Sequence, residues 1–196
     1  MSGDNVTAVP DGRKLRSERS RAAFIKAALE LVEEGYLVPS ANIIAERAGI
    51  GVRSFFRHFP DMETFFLQVD ETTRDATVAL FVGGDRSGSL ADRILHAVER
   101  HAQGYEVEKN QILSTAAQSW RFEVLRKNYA RYQRGLRRDM EDWLPEIKDL
   151  TPVKREAVDA IASFEMWHRL REHQRLSKKA AIEVVVELLT DLVPGD

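Results

Sequence analysis

The sequence predicts an all-α protein: a small three-helix module, a long connecting helix and a larger helical domain. Three observations carry this. Apolar residues recur at helical spacing, as in Phe24, Ala28, Leu31 and Val32. Charged residues make up 31% beside 43% hydrophobic, the balance of a helix-rich globular chain. No segment alternates convincingly enough to read as a strand, and no internal repeat is found.

The elements follow in order. Residues 1–12 are small, polar and turn-prone, and with Arg13 and Lys14 they are expected to make a flexible basic arm, 1–14. A first helix is expected over about 17–34, with Gly35 as a left-handed stop. Ser40 can cap a short helix carrying Ile43, Ile44, Ala45 and Ala48. Ala48-Gly49-Ile50-Gly51 breaks it, and a third short helix is expected over about 52–59. Pro60 ends that helix and Asp61 caps a long fourth one, about 62–81, stopped at Gly83-Gly84. Ser89-Leu90-Ala91-Asp92 has the form of a capping box and opens a fifth helix, to about residue 103. Helices over 109–119 and 121–144 are expected next, the second ended by Pro145. Thr151-Pro152 pairs a capping hydroxyl with proline at the first helical position, starting a helix to about 175. Ser177 caps the last helix, which Pro194-Gly195 ends.

Composition removes several classes. Cysteine is absent, which excludes disulfide frameworks and cysteine metal sites. No run of about 18 apolar residues suggests a membrane span, and no basic-then-apolar start suggests a secretory signal. A cytoplasmic protein without membrane contact is the expectation. The net charge of −2 hides an asymmetry: residues 1–59 carry nine Lys/Arg against seven Asp/Glu, leaving 20 against 24 in the remainder. Arg13, Lys14, Arg16, Arg19 and Arg21 cluster with Glu18 as the one acid among them. Such an arm attracts phosphates by charge alone, though it is equally the composition of a solvated tail.

Residues 40–59 have the mechanics of a helix-turn-helix. Two short helices that cross steeply need a small side chain where they approach, and Ala45 supplies it. Their turn needs a residue that tolerates positive φ, and Gly49 supplies that. Ile50 can plug the space between the helices. Phe55 and Phe59, four apart, would face inward, leaving Val52, Arg53, Phe56 and Arg57 on the face that would enter a major groove. No other ligand lies at suitable spacing to make His58 a metal residue, and no metal is expected.

The longer string AERAGIGVRSFFRHFPDMETFF, residues 45–66, resembles the DNA-binding signature of the TetR family of bacterial regulators. The resemblance begins near Ala22 and covers about the first third of the chain. It implies a DNA-binding domain over 15–60 and an effector-binding, dimer-forming helical domain over 61–196. It places Ser40 and Asn42 at the start of the second helix, near DNA. Val52, Arg53 and Ser54 fall where base edges are read, with Arg53 the candidate for a bidentate guanine contact, a phosphate contact or a solvated side chain being the alternatives, and Ser54 able to bond a base or a phosphate. Arg57 and His58 fall where the family grips backbone, and Arg16 and Arg19 of the basic segment would add phosphate contacts. Phe56 departs from the family's usual tyrosine, whose hydroxyl bonds phosphate; Met62 replaces a common lysine; Gly51 and Ile43 replace polar residues. These losses shift backbone affinity toward the basic arm.

The resemblance further implies a homodimer on operator DNA and an unidentified small-molecule effector, with no cofactor. Ile182, Val185, Val186 and Leu189 form an apolar stripe in the last helix, and Ile161 and Phe164 belong to one in the helix before it. Two such helices per subunit would make a four-helix dimer interface, although the same stripes suit a subunit core. His101, Gln118, Trp120 and Trp143 are the candidate effector residues among the middle helices. The functional expectation is a sequence-specific repressor released from its operator by a small molecule. An architectural or adaptor DNA-binding protein without a ligand is the main alternative. An all-α enzyme is disfavoured: cysteine, HExxH and a glycine-rich phosphate loop are all missing, and Glu165-x-x-His168 lacks the second copy a di-iron bundle needs.

Overall fold

The computed structural model describes residues 12–195, and among these the secondary structure is helical throughout. The expected arm over 1–14 falls mostly outside them; its last three residues begin the first helix, α1, Gly12–Glu33. Arg16 ties that start down, its Nε donating to the Gly12 carbonyl at 3.0 Å. Helix α1 ends at Gly35, where φ is +92° and the Gly35 and Tyr36 N–H groups return to the Val32 and Leu31 carbonyls. Helices α2, Ala41–Arg47, and α3, Val52–His58, follow. Gly49 repeats the same stop between them: φ is +66°, its N–H reaches the Glu46 carbonyl and that of Ile50 reaches Ala45. A side chain at either position would have to adopt the left-handed region that glycine enters freely.

Helix α4, Met62–Phe81, has the expected bounds, with the Asp61 carboxylate accepting from the Thr64 N–H at 2.7 Å. Its first turns complete the core of the small module, where Phe24, Phe55, Phe59 and Phe65 meet edge-on and tilted at centroid distances of 5.0–6.2 Å. Its far end sinks Phe81 into the second core. At about 1.5 Å per residue, one continuous helix of 20 residues joins both cores. The last carbonyls of α4 are not left bare: Arg100 donates to Ala79 at 2.6 Å and to Val82 at 2.9 Å.

The larger domain departs from expectation in two places. The helices expected to end near 103 and restart at 109 are one, α5, Leu90–Gln118, opened by the Ser89–Asp92 capping box. Gly104 is no stop. It is where the Phe81 ring lies so close to the α5 backbone that an added Cβ would sit 2.4 Å from it. Helix α6, Glu123–Trp143, then runs back, and a 3-10 turn, Pro145–Asp149, leads on.

The helix expected from Pro152 to about 175 is broken. It comprises α7, Pro152–Ile161, then α8, Phe164–His168, and a π-helical turn, Arg169–His173. Ser163 is the cause: its hydroxyl accepts from the Met166 N–H and starts a new helix instead of continuing the old one. The Tyr105 hydroxyl donates to the Ala162 carbonyl at 2.8 Å, so a group freed by the break stays satisfied. The last helix, α9, Lys178–Leu192, packs along α5 and α7.

Candidate nucleic-acid interface and ligand cavity

Fixed and free groups separate clearly on the helix-turn-helix. Phe55 and Phe59 are fully buried, which locks α3 against α1 and turns its other face outward. Arg53 is exposed and makes no side-chain hydrogen bond or ion pair among the described residues, so its fork of donors is unoccupied. Asn42, Arg16 and Arg19 are exposed as well. Arg57 instead donates to the Ser54 hydroxyl at 2.8 Å, which aligns the guanidinium along the helix. Phe56 is 49% exposed, an apolar ring in water on the same face, while Val52 and His58 are half-buried. Ser40 caps α2, its hydroxyl accepting from the Ile43 N–H at 3.4 Å.

His58 sits in a mixed environment. Its ring lies 6.2 Å from Phe24 and 6.3 Å from Phe59, and its Nε2 is buried without a hydrogen-bond partner. Removal from water, and then the charges of Arg57 and Arg21, hold its pKa below the ordinary imidazole value. Arg21 in turn donates to the His58 carbonyl at 3.3 Å and lies over the Phe59 ring, holding α1 to the end of α3. Arg47 and Glu34 form a forked pair at 2.7–2.8 Å that joins the end of α2 to that of α1.

In the second domain a cavity of about 1070 Å³ opens between α4, α5 and α6, with the end of α1 as its floor. That volume is in the range of organic-ligand sites. Of the residues expected at a ligand site, Gln118 lies on this lining. The others do not. Trp120 is 81% exposed in the turn after α5. Trp143 is 1% exposed, pressed on the Gly84 backbone with the Arg86 guanidinium over its ring at 5.3 Å. His101 is buried against Asp139, Nε2 to carboxylate 3.0 Å, beside a void of about 20 Å³ that could hold a water at most. Large aromatics near a helix break were expected to line a pocket; here they fill the core or leave it.

The lining residues that sequence reasoning missed are polar ones on helix faces. Asp70, 7% exposed, accepts from Arg131 at 2.6 Å and Tyr132 at 2.9 Å on α6, and from Arg74 on its own helix. A signal was available. Phe65, Val69, Thr73, Thr77 and Phe81 form one i+4 row along α4, and its middle turns polar where the cavity lies.

The cavity touches the DNA module directly. Ser114 and Gln118, both on its lining, donate to the Leu37 carbonyl in the α1–α2 linker at 2.7 and 3.2 Å. Asn110 donates to the Glu33 carbonyl at 2.9 Å. On the α6 side, Phe122 cannot cap the helix it precedes, and the Glu63 carboxylate of α4 accepts from the Glu123 N–H at 2.8 Å instead. The Phe66 and Phe122 rings meet beside it at 5.1 Å.

Of the six expected dimer residues, Phe164, Val185 and Leu189 are buried in the subunit's own core. Ile161, Ile182 and Val186 remain half-buried.

A helix-turn-helix that presents the Arg53 guanidinium outward, joined through α4 to a helical domain with a ligand-sized cavity, is the arrangement that a DNA-binding regulator requires. Residues 24–69, the helix-turn-helix module and the start of α4, match the model of the bacterial regulatory proteins, tetR family. No protein among the curated sequences is a significant match. Among solved structures, a transcriptional regulator from Rhodococcus sp. Rha1 is similar at 16% identity and TM-score 0.66, covering 90% of this chain and 95% of that one. Multidrug binding protein EbrR, solved with imidazole, is similar at 16% identity and TM-score 0.59, covering 100% and 99%. At these identities the two structures speak for the fold. Among the described residues no helix is long and apolar enough to cross a membrane, and no group of His, Asp or Glu is arranged to hold a metal ion.

Proposed function

We propose that this protein is a homodimeric repressor whose grip on operator DNA is released by a small molecule in the 1070 Å³ cavity. The observation that carries the reading is the double hydrogen bond from cavity residues Ser114 and Gln118 to the Leu37 carbonyl, three residues before the Ser40 cap. A ligand that competes for either donor disturbs the linker that sets α2 and α3. Helix α4 gives a second route, through Asp70 and Glu63 to α6. The ligand acts by binding one arrangement of these contacts better than the other. That a fold neighbour binds imidazole supports a small-molecule site. The architectural alternative calls for a packed second domain, and the cavity counts against it.

In this reading Arg53 reads a base edge, with Val52 and Ser54 beside it and Phe56 in apolar contact. Arg57, His58, Ser40, Asn42, Arg16 and Arg19 hold phosphates. The dimer face draws on Ile161, Ile182 and Val186, the stripe residues that the subunit core leaves partly uncovered.

The test is binding of the full chain to its own promoter region and to random DNA at two salt concentrations. Preference for the promoter that persists at moderate salt, saturating at two subunits per site, is the expected result. Equal, salt-erased binding to both sequences would overturn the specific-regulator reading.

A further inference from the structure

The charges around the cavity fall into two groups. Nearly all its cations are already taken. Arg74 and Arg131 are held by Asp70 and are 42% and 40% exposed, so their heads reach solvent. Arg86 is held by Asp139 and Asp142, and Lys109 by Glu172. Arg138 is exposed. Glu108, on α5, is the reverse case. It lines the cavity and is half-buried, its polar partner is Thr77 across on α4, and no cation pairs with it among the described residues. Burial raises its pKa, which no neighbouring positive charge offsets. Apolar surface leads toward it: Val78, Val82 and Val107 line the cavity and are 41%, 48% and 55% exposed.

A carboxylate withdrawn from water without a counter-charge is costly, and a partner of opposite charge recovers that cost most fully where water is excluded. Apolar groups on the same partner would cover the valines. We propose that the cavity takes a lipophilic organic cation, with Glu108 as its counter-charge. This rests on the ligand-site reading above and adds the chemical class of the ligand.

Two ions of nearly the same size and shape and opposite charge provide the test: tetraphenylphosphonium and tetraphenylborate, titrated calorimetrically into the full chain. The phosphonium should bind at least about tenfold tighter than the borate, as expected for one pairing of unit charges in a partly dry site. Glu108→Gln should lose about that factor for the phosphonium and none for the borate. Glu108→Lys should reverse the preference, and circular dichroism on each variant separates lost binding from lost fold. Equal affinities in the unaltered chain, or an unchanged phosphonium affinity in folded Glu108→Gln, would overturn the proposal. Tight binding of borate alone would also sink the cation class, while leaving the cavity as a ligand site. Failure of both ions, and of a neutral apolar probe such as naphthalene, would remove the ligand site itself.

Discussion

At the scale of single residues, two arginines on one short helix stand in different surroundings. Among the described residues Arg53 has no internal partner, whereas Arg57 is aligned by Ser54. Arg53→Ala is expected to weaken operator binding by about 1–3 kcal/mol and relax one operator position. Equal losses on operator and random DNA would remove it from base reading. Arg57→Ala should weaken every sequence alike and make the salt dependence shallower, and an unchanged slope would exclude a phosphate contact. His58 ties the module to pH. Burial holds its folded pKa below the ordinary imidazole value, so the unfolded chain takes up a proton first. Stability is therefore full above that value and declines as pH falls through it toward the folded pKa. Melting temperatures between pH 7 and 5 should show this decline, and His58→Gln should flatten it; the same slope in the variant would place the acid lability elsewhere. The DNA-facing residues were legible because short, capped helices with a glycine turn permit few arrangements. The cavity residues were not: Asp70 and Glu108 look like any solvated helix charge until α6 and α4 are set against them.

At the scale of elements, helix starts could be read and helix continuations could not. Ser89, Thr151 and Ser177 cap where expected because a capping bond is local. The helix end expected near residue 103 and the unbroken helix expected from 152 to about 175 both failed: Gly104 stays helical because of the ring packed on it, and Ser163 suits a helix interior as well as a new cap. Glycine costs a helix roughly 1 kcal/mol, and at residue 104 the seat it leaves for Phe81 outweighs that. Gly104→Ala should therefore destabilise the protein, by about 1–3 kcal/mol, despite alanine's better helix propensity. A melting temperature at or above that of the unaltered chain would show that the ring moves aside freely. The α1–α2 linker offers a parallel test. Ser114→Ala with Gln118→Ala removes both side-chain donors to the Leu37 carbonyl, at about 1 kcal/mol each. Amides over 36–42 should then exchange faster with solvent while those of α9 do not. Unchanged exchange in the linker would mean that the two bonds are not holding it.

At the scale of the whole molecule, the architecture is two cores on one rod. The expected division at residue 61 cuts through the first core, which takes in Phe65 and packs Phe66 and Val69 against it. Such a division follows proline and cap, the covalent signals, whereas the core follows the row of side chains that α4 carries past them. A dimer requires two α3 helices about 34–36 Å apart on successive major grooves. Sedimentation should give twice the 22.3 kDa of one chain, and Ile182→Glu with Val186→Glu should give the single-chain mass and weaker operator binding. Dimers that survive both charges would move the interface off α9. The placement of the three tryptophans also makes the protein its own optical instrument. Trp120 is 81% exposed, while Trp143 and Trp167 are 1% and 4%. Iodide should quench the red-shifted emission of the first and spare the other two. Trp120 lies two residues beyond Gln118, so an unlabelled sample can report by colour what happens where the cavity meets the linker.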